Sequence, residues 1–331
     1  MTLAWEGKER LQAVPLPLAK AQGAGLDLRR LPLAGGDGEL IQGDNLVALR
    51  ALAKTHAERV TLAYMDPPFF TGRVHSHVQR KTREKRAAFD DRWSDRAAYL
   101  EALALRLERV RALLAPHGSV VVHVDPKTSH YVKVLCDEIF GEDCFASEIV
   151  WRYRRWPSKT PNFQRVHDVL LRYRKDPRSA PRWNAMYEPL APSTLATWGT
   201  NKQRAVFSTR QGGEVRRARS SSTTEATPGV PMGDVWDIGV IAPVARERTG
   251  YPSQKPEALL ERIVRALSSP GDIVLDPYAG SGTTLAVAAR TGRRFIGIDA
   301  SDLAIETIRA RISGATEAGG HCAPLAVADS K

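Results

Sequence analysis

Ile273-Val274-Leu275-Asp276-Pro277-Tyr278-Ala279-Gly280-Ser281-Gly282-Thr283-Thr284 carries the chain from a strand-like apolar run into a helical one. Two glycines at such a junction let the backbone approach a ligand closely, and the N–H groups at the start of the helix are free to meet it. Threonines follow Gly282 where a Walker A loop needs lysine, which excludes a nucleotide-hydrolysing phosphate loop. Leu285 stands where a dinucleotide fingerprint needs its third glycine. Two readings stay open: a structural turn, or a site for a ribose-bearing cofactor without a phosphate anchor. The next strand, Arg294 to Ile298, favours the second, because it delivers Asp299 to a position from which a carboxylate accepts hydrogen bonds from ribose hydroxyls.

Outward from this turn the same alternation recurs. Glu39–Gln42 reads as a strand, Leu46–Ala53 as helical, Val60–Met65 as a strand, and Ser94–Leu114 as a helix capped by Ser94 and ended by Pro116-His117-Gly118. Ser119–Val124, Ser129–Phe140 and Val166–Tyr173 continue as strand, helix and strand. On the other side, Glu257–Ala266 and a closing helix from Leu303 to Ile312 bracket the glycine turn. The pattern predicts an α/β fold with a mixed, mostly parallel sheet and helices on both faces. Residues 176–250 break it: they are rich in Pro, Ser, Thr, Gly and Arg, read as an inserted module, and include a Ser220–Thr224 tract expected to be mobile.

Among 331 residues, 48 Lys and Arg face 37 Asp and Glu, for a net charge of +11, which favours a polyanionic partner such as nucleic acid. The excess is local. Residues 151–182 hold ten basic against two acidic residues, 73–86 six against one, and 202–219 six against one, so the remainder of the chain is net acidic. Cys136, Cys144 and Cys322 lack C-x-x-C spacing, which argues against a disulfide framework and a zinc site and for a reducing compartment. His75-Ser76-His77 reads as an exposed loop, and no metal is expected. With no long apolar run and no signal-type core, the expectation is a cytoplasmic, nucleoid-associated protein without membrane contact.

Asp66-Pro67-Pro68-Phe69 ends the Val60–Met65 run. Two consecutive prolines offer no backbone donor and fix the chain at the strand end. Such a corner presents the Asp66 carboxylate, the Pro67 carbonyl and the Phe69 ring to one pocket, an arrangement suited to a planar heterocycle with an exocyclic amino group. The alternative is a turn with a buried phenylalanine. The tetrad resembles motif IV of amino-directed DNA methyltransferases, Asp/Asn/Ser-Pro-Pro-Tyr/Phe. Tyr278-Ala-Gly-Ser-Gly282 looks like their S-adenosylmethionine motif I, Tyr251-Pro-Ser-Gln-Lys-Pro256 like motif X, and Phe163-Gln-Arg-Val-His167-Asp168 like motif VIII. Gly43-Asp44 before a Leu-rich helix resembles the segment that holds the cofactor adenine. The order is similar to the β class.

The resemblance implies a Rossmann-like S-adenosylmethionine-dependent methyltransferase fold. Its parts would be an N-terminal extension (1–38), a catalytic half (39–175), a target-recognition insert (176–250), a cofactor-binding half (251–313) and a flexible tail (314–331). It implies transfer to N6 of adenine in duplex DNA with base flipping; N4 of cytosine, or an RNA or protein substrate, are the alternatives. Asp66, Pro67, Pro68 and Phe69 would be catalytic. Asp44, Asp66, Ser253, Lys255, Asp276, Tyr278, Ala279, Gly280, Ser281, Gly282, Thr283 and Asp299 would hold S-adenosylmethionine. Arg73, Arg80, Lys81, Arg83, Arg152, Arg154, Arg155 and His167 would meet DNA, and Trp151-Arg-Tyr-Arg-Arg-Trp156 interleaves rings with Arg in a way suited to stacking and phosphate contact, with Trp151 as readily a core residue. A homodimer and a cognate restriction endonuclease are partners the resemblance allows.

Overall fold

Val60–Met65 is buried along its whole length, as a strand covered on both faces must be. The computed structural model describes residues 28–31, 33, 38–78, 85–157, 159, 161–209 and 215–317. In chain order it contains β1 (Arg29–Leu31), β2 (Gly38–Gln42), α1 (Asn45–His56), β3 (Val60–Met65), β4 (Val74–Val78), β5 (Lys85–Asp90), α2 (Arg96–Leu113), β6 (Leu114–Val124), α3 (Ser129–Phe140), β7 (Phe145–Arg152) and β8 (His167–Arg174). There follow β9 (Tyr187–Glu188), α4 (Pro192–Trp198), β10 (Asn201–Thr209), β11 (Val215–Ala226), β12 (Val230–Pro231) and β13 (Val235–Asp237). The chain continues through α5 (Glu257–Leu267), β14 (Ile273–Asp276), α6 (Thr283–Arg290), β15 (Arg294–Asp299) and α7 (Asp302–Glu317).

Nine strands form one sheet in the order β1-β2-β15-β14-β3-β6-β8-β7-β13. β2, β15, β14, β3 and β6 are parallel, β8 runs against both β6 and β7, and β1 runs against β2. Alternate residues serve opposite faces. Val60, Met65, Leu275, Ile296 and Ile298 join a core with the buried faces of α1, α2 and α3. On the other face α6 lies so close to β15 that a Cβ on Gly297 would meet Leu285 Cδ1 at 2.3 Å. From β14 the chain crosses to β15, whereas from β3 it crosses to β6 on the other side. That divergence opens a crevice beyond the carboxyl ends of β14 and β3, where open α/β sheets bind ligands.

The described residues separate into two units, one running to Trp183 and resuming at Asp234, the other Asn184–Gly233. The second lies inside the expected 176–250 insert and is narrower, because β13 pairs with β7 as the last strand of the main sheet. The Ser220–Thr224 tract expected to be mobile is part of β11, paired with β10. Four boundaries also move. Asp95, not Ser94, caps α2 by accepting the Ala98 N–H at 2.8 Å. Pro116–Gly118 lie within β6, as an irregularity between the Val60–Leu114 and Leu62–Ser119 pairs. Residues assigned to the extension and the tail take part in structure, since β1 edges the sheet and α7 reaches Glu317. No described helix is long and apolar enough to cross a membrane.

Candidate active site

A cavity of about 780 Å³ occupies the crevice. It is lined by residues that directly follow the parallel strands: Gly43 and Asp44 after β2, Asp66 to Phe69 after β3, Pro277 to Ser281 after β14, and Ala300 to Leu303 after β15. Tyr251 to Lys255 complete the wall from the segment before α5.

At its base Lys255 Nζ donates to Asp66 Oδ2 and stands 5.0 Å from the Phe69 ring centroid. Asp66 Oδ1 is buried and has no hydrogen-bond partner. A buried carboxylate oxygen without a donor is costly, and Asp66 lines the cavity, so an N–H donor brought against this corner would satisfy it. The tetrad is held from behind by Asp91, 1% exposed, whose carboxylate accepts the backbone N–H groups of Phe69, Phe70 and Thr71 at 3.2, 2.9 and 2.8 Å. Thr71 Oγ1 and Trp93 Nε1 donate to it as well. Phe70 adopts φ +57°, a conformation that costs a non-glycine residue energy, and these bonds fix it.

Beneath Phe69 the fully buried His123 ring sits 5.7 Å from the phenyl centroid. Its Nδ1 meets Tyr64 Oη at 2.7 Å and its Nε2 faces Asp168 Oδ2 at 3.4 Å, while Tyr153 Oη donates to Asp168 Oδ1 at 3.0 Å. Burial works to raise the Asp168 carboxyl, but His123, Lys255 and Tyr153 bring it below its ordinary value.

The glycine turn forms the opposite wall. Gly280 has φ +49°, and its N–H donates to Asp299 Oδ2 at 2.8 Å; Ser301 N–H donates to Oδ1 at 2.9 Å. Burial holds the Asp299 carboxyl above its ordinary range against those two bonds. Asp276 is buried deeper and pushed up to about 7 by desolvation, accepting the Tyr278 N–H at 3.0 Å. Asp44 caps α1 through Val47 N–H and pairs with Arg106 at 3.3 Å. Ser253 takes φ +60° at the cavity wall, and Thr283 Oγ1 donates to the Lys255 carbonyl at 3.2 Å.

Every residue expected to hold a cofactor therefore lines one cavity, with one exception. Gly282 does not. It caps α6 in the left-handed conformation at φ +72°, and a Cβ there would come within 2.8 Å of Ile308 Cγ1, so its task is helix packing.

The DNA methylase family of N6- and N4-directed enzymes matches residues 60–310. The chain belongs to that family. It is 30% identical to the DNA adenine methyltransferase YhdJ of Escherichia coli (strain K12) over 78% of this chain and 77% of that protein. The cytosine-N4-specific PvuII DNA methyltransferase superposes with TM-score 0.53 at 16% identity, covering 88% of this chain and 96% of that one. M1.HpyAVI in complex with SAM superposes with TM-score 0.50 at 18% identity, covering 83% and 98%. At those identities the two structures establish the fold alone.

In this methylase the residues expected to meet DNA differ in availability. Arg73 is exposed at the base of the β4–β5 hairpin. Arg80, Lys81 and Arg83 lie outside the described residues. Arg152 is exposed but paired with Asp237, and Arg155 leans on the Tyr153 ring, 5.2 Å from its centroid. Arg154 is exposed beside them, and His167 begins β8 opposite Arg152. The aromatics of 151–156 divide: Trp151, 3% exposed, takes the core alternative, Tyr153 at 4% corrects the expectation of a stacking ring, and only Trp156 faces solvent. Asp91 and His123 escaped the sequence reading entirely. Nothing local distinguishes Asp91 from its exposed neighbour Asp90, and a single histidine in an apolar strand carries no motif. Among the described residues no cluster could hold a metal ion.

Proposed function

We propose that the protein transfers a methyl group from S-adenosylmethionine to N6 of adenine in duplex DNA. The observation that carries the reading is the unpartnered Asp66 Oδ1 beside the Phe69 ring, with Asp66 Oδ2 already held by Lys255. An exocyclic amine is a poor nucleophile while its lone pair is delocalised into the ring. Asp66 Oδ1 and the Pro67 carbonyl accept its two N–H bonds, favour a pyramidal nitrogen and direct the lone pair into the cavity. Phe69 stacks on the extruded base, and His123 backs that ring. Lys255 keeps the carboxylate in place. The cofactor, when bound, supplies an activated methyl group on a sulfonium.

The residues present fit such a cofactor. Asp299 stands at the tip of β15 for ribose hydroxyls, the Gly280 turn admits close backbone approach, and Tyr251 closes the cavity with an aromatic wall. Aspartate at the first tetrad position and the adenine specificity named for YhdJ support N6 over N4. Arg73, Arg154, Arg155 and His167 meet the duplex, and the 176–250 insert chooses the sequence.

Methylating genomic DNA with labelled cofactor and digesting it to nucleosides tests this. N6-methyladenine is expected. N4-methylcytosine as the product overturns the choice of base, and no labelled nucleoside at all overturns the substrate class.

A further inference from the structure

The loop between β7 and β8 carries two aromatic side chains that the fold leaves in water. Trp156 is 91% exposed and Phe163 105%. Isolated exposed apolar residues are ordinary, but two large rings on one short loop mark a surface built to meet something. The described residues of the loop carry restraints. Pro157 and Pro161 restrict it, and Gln164 Nε2 donates to the Trp156 carbonyl at 2.7 Å across it. Both its ends are tied to the strands that frame the tetrad. Arg165 pairs with Asp125 at the end of β6 at 2.6 Å, and Tyr153 bonds Asp168, which faces the His123 ring beneath Phe69. From Tyr153 to His167 the sequence holds Arg154, Arg155, Lys159 and Arg165 and no acidic residue. Rings on a basic, anchored loop beside a base-accepting pocket complement a polyanion whose interior is a stack of flat rings.

We infer that Trp156 and Phe163 form a wedge that enters the base stack of duplex DNA beside the target and occupies the gap left when that base turns into the cavity. The inference rests on the function proposed above and adds the residues that make extrusion favourable. Apolar side chains pushed between base steps offset the loss of stacking, and ordered rings do so with little conformational cost. Arg154 and Arg155 would hold the flanking phosphates while the rings enter. The rings act on the opening of the duplex and touch neither the amine nor Asp66, so they are positioning residues.

The test compares two duplexes containing the methylated sequence, one fully paired and one with an abasic site opposite the target base, where extrusion is already cheap. Trp156→Ala/Phe163→Ala is expected to lower kcat/KM at least tenfold on the paired duplex and less than threefold on the abasic one. Arg154→Ala, a phosphate contact, should weaken both duplexes alike. Calorimetric binding of S-adenosylmethionine verifies that the double variant is folded. Equal loss on both duplexes, or no loss on either, overturns the wedge. A wild-type enzyme that methylates neither duplex overturns the functional reading itself, and the wedge with it.

Discussion

Lys255 and Asp66 stand 189 positions apart in the chain, and the Lys255 ammonium is bonded to Oδ2 of the Asp66 carboxylate while Oδ1 is left without a partner. The pair joins the segment before α5 to the end of β3 across the cavity. One oxygen is spent on holding the carboxylate, and the other is kept for a ligand. Lys255, which the motif resemblance put on the cofactor wall, thus also touches the Asp66 corner.

Replacing Asp66 with Ala removes that acceptor. Turnover is expected to fall about 100-fold or more, the size of loss typical of a preorganised transition-state hydrogen bond. Binding of S-adenosylmethionine should change only a few-fold. Single-turnover methylation and calorimetry on the same preparation check both halves, and a wild-type rate at saturating cofactor would remove Asp66 from the chemistry. Lys255→Met leaves the carboxylate buried without its counter-charge, which in comparable settings costs about 3–5 kcal/mol. It should lower stability as well as rate.

The glycine turn predicts two different failures. At Gly280 an added Cβ would lie 3.3 Å from Tyr251 Cε1, at the cavity wall, so Gly280→Val is expected to abolish cofactor binding while the protein stays folded. At Gly282 the obstruction is Ile308 Cγ1 at 2.8 Å, away from the cavity. Gly282→Val should lower the thermal midpoint and reduce binding only through loss of folded protein. Asp299→Ala removes the acceptor for the Gly280 and Ser301 N–H groups and should weaken S-adenosylmethionine at least tenfold. Calorimetry beside thermal melts separates these cases. Tight binding of NAD and none of S-adenosylmethionine would assign the turn to a dinucleotide instead.

Much of this was legible before any coordinates. Val60–Met65 announces a buried parallel strand because no polar residue but Thr61 interrupts it, and Asp66-Pro67-Pro68 must stop it because prolines cannot continue a ladder. The same tools fail where partners are distant. The contact between Asp91 and Phe69 spans 22 positions through a hairpin, and that between His123 and Asp168 spans 45 across two strands. The sequence left Trp151 open because interleaved Arg and aromatic residues suit a stacking surface and an edge-region strand equally. Only the pairing of β7 with β8 and β13 decides which face each ring takes. β11 was missed because Ser and Thr in a row carry no hydrophobic alternation, even though its partner β10 is the strand just before it.

Burial raises the Asp276 carboxyl from its ordinary 3.8 to about 7. Between those values the folded chain keeps a proton that the unfolded chain releases. The stabilisation is thus complete below the unfolded value and is lost as pH rises through about 7. The gap corresponds to about 4 kcal/mol at most. Asp276→Asn stays neutral throughout. It is expected to be more stable than the wild type at about pH 8 and close to it at about pH 4, as read by urea unfolding at each pH. An equal difference at both values would mean that Asp276 titrates normally.

Arg152 and Arg154 are two residues apart on the same rim and differ in one respect. Arg152 is hydrogen-bonded to Asp237, which lowers that carboxyl below its ordinary value, whereas Arg154 acts on Asp237 through its charge alone and has no hydrogen-bonded carboxylate among the described residues. A phosphate contact releases counterions, so removing one flattens the dependence of log binding constant on log salt by about 0.9. Arg154→Ala is expected to flatten it by that amount and to weaken all duplexes alike. Arg152→Ala deletes a charge that Asp237 already balances and frees an aspartate beside the DNA. Its slope should change less, while affinity still falls through the exposed negative charge. Asp237→Ala supplies the decisive comparison, because it releases Arg152 and should steepen the slope. Titrations of one duplex at several salt concentrations measure all three, and identical slopes for the Arg152 and Arg154 variants would show that DNA breaks the Asp237 pair on binding.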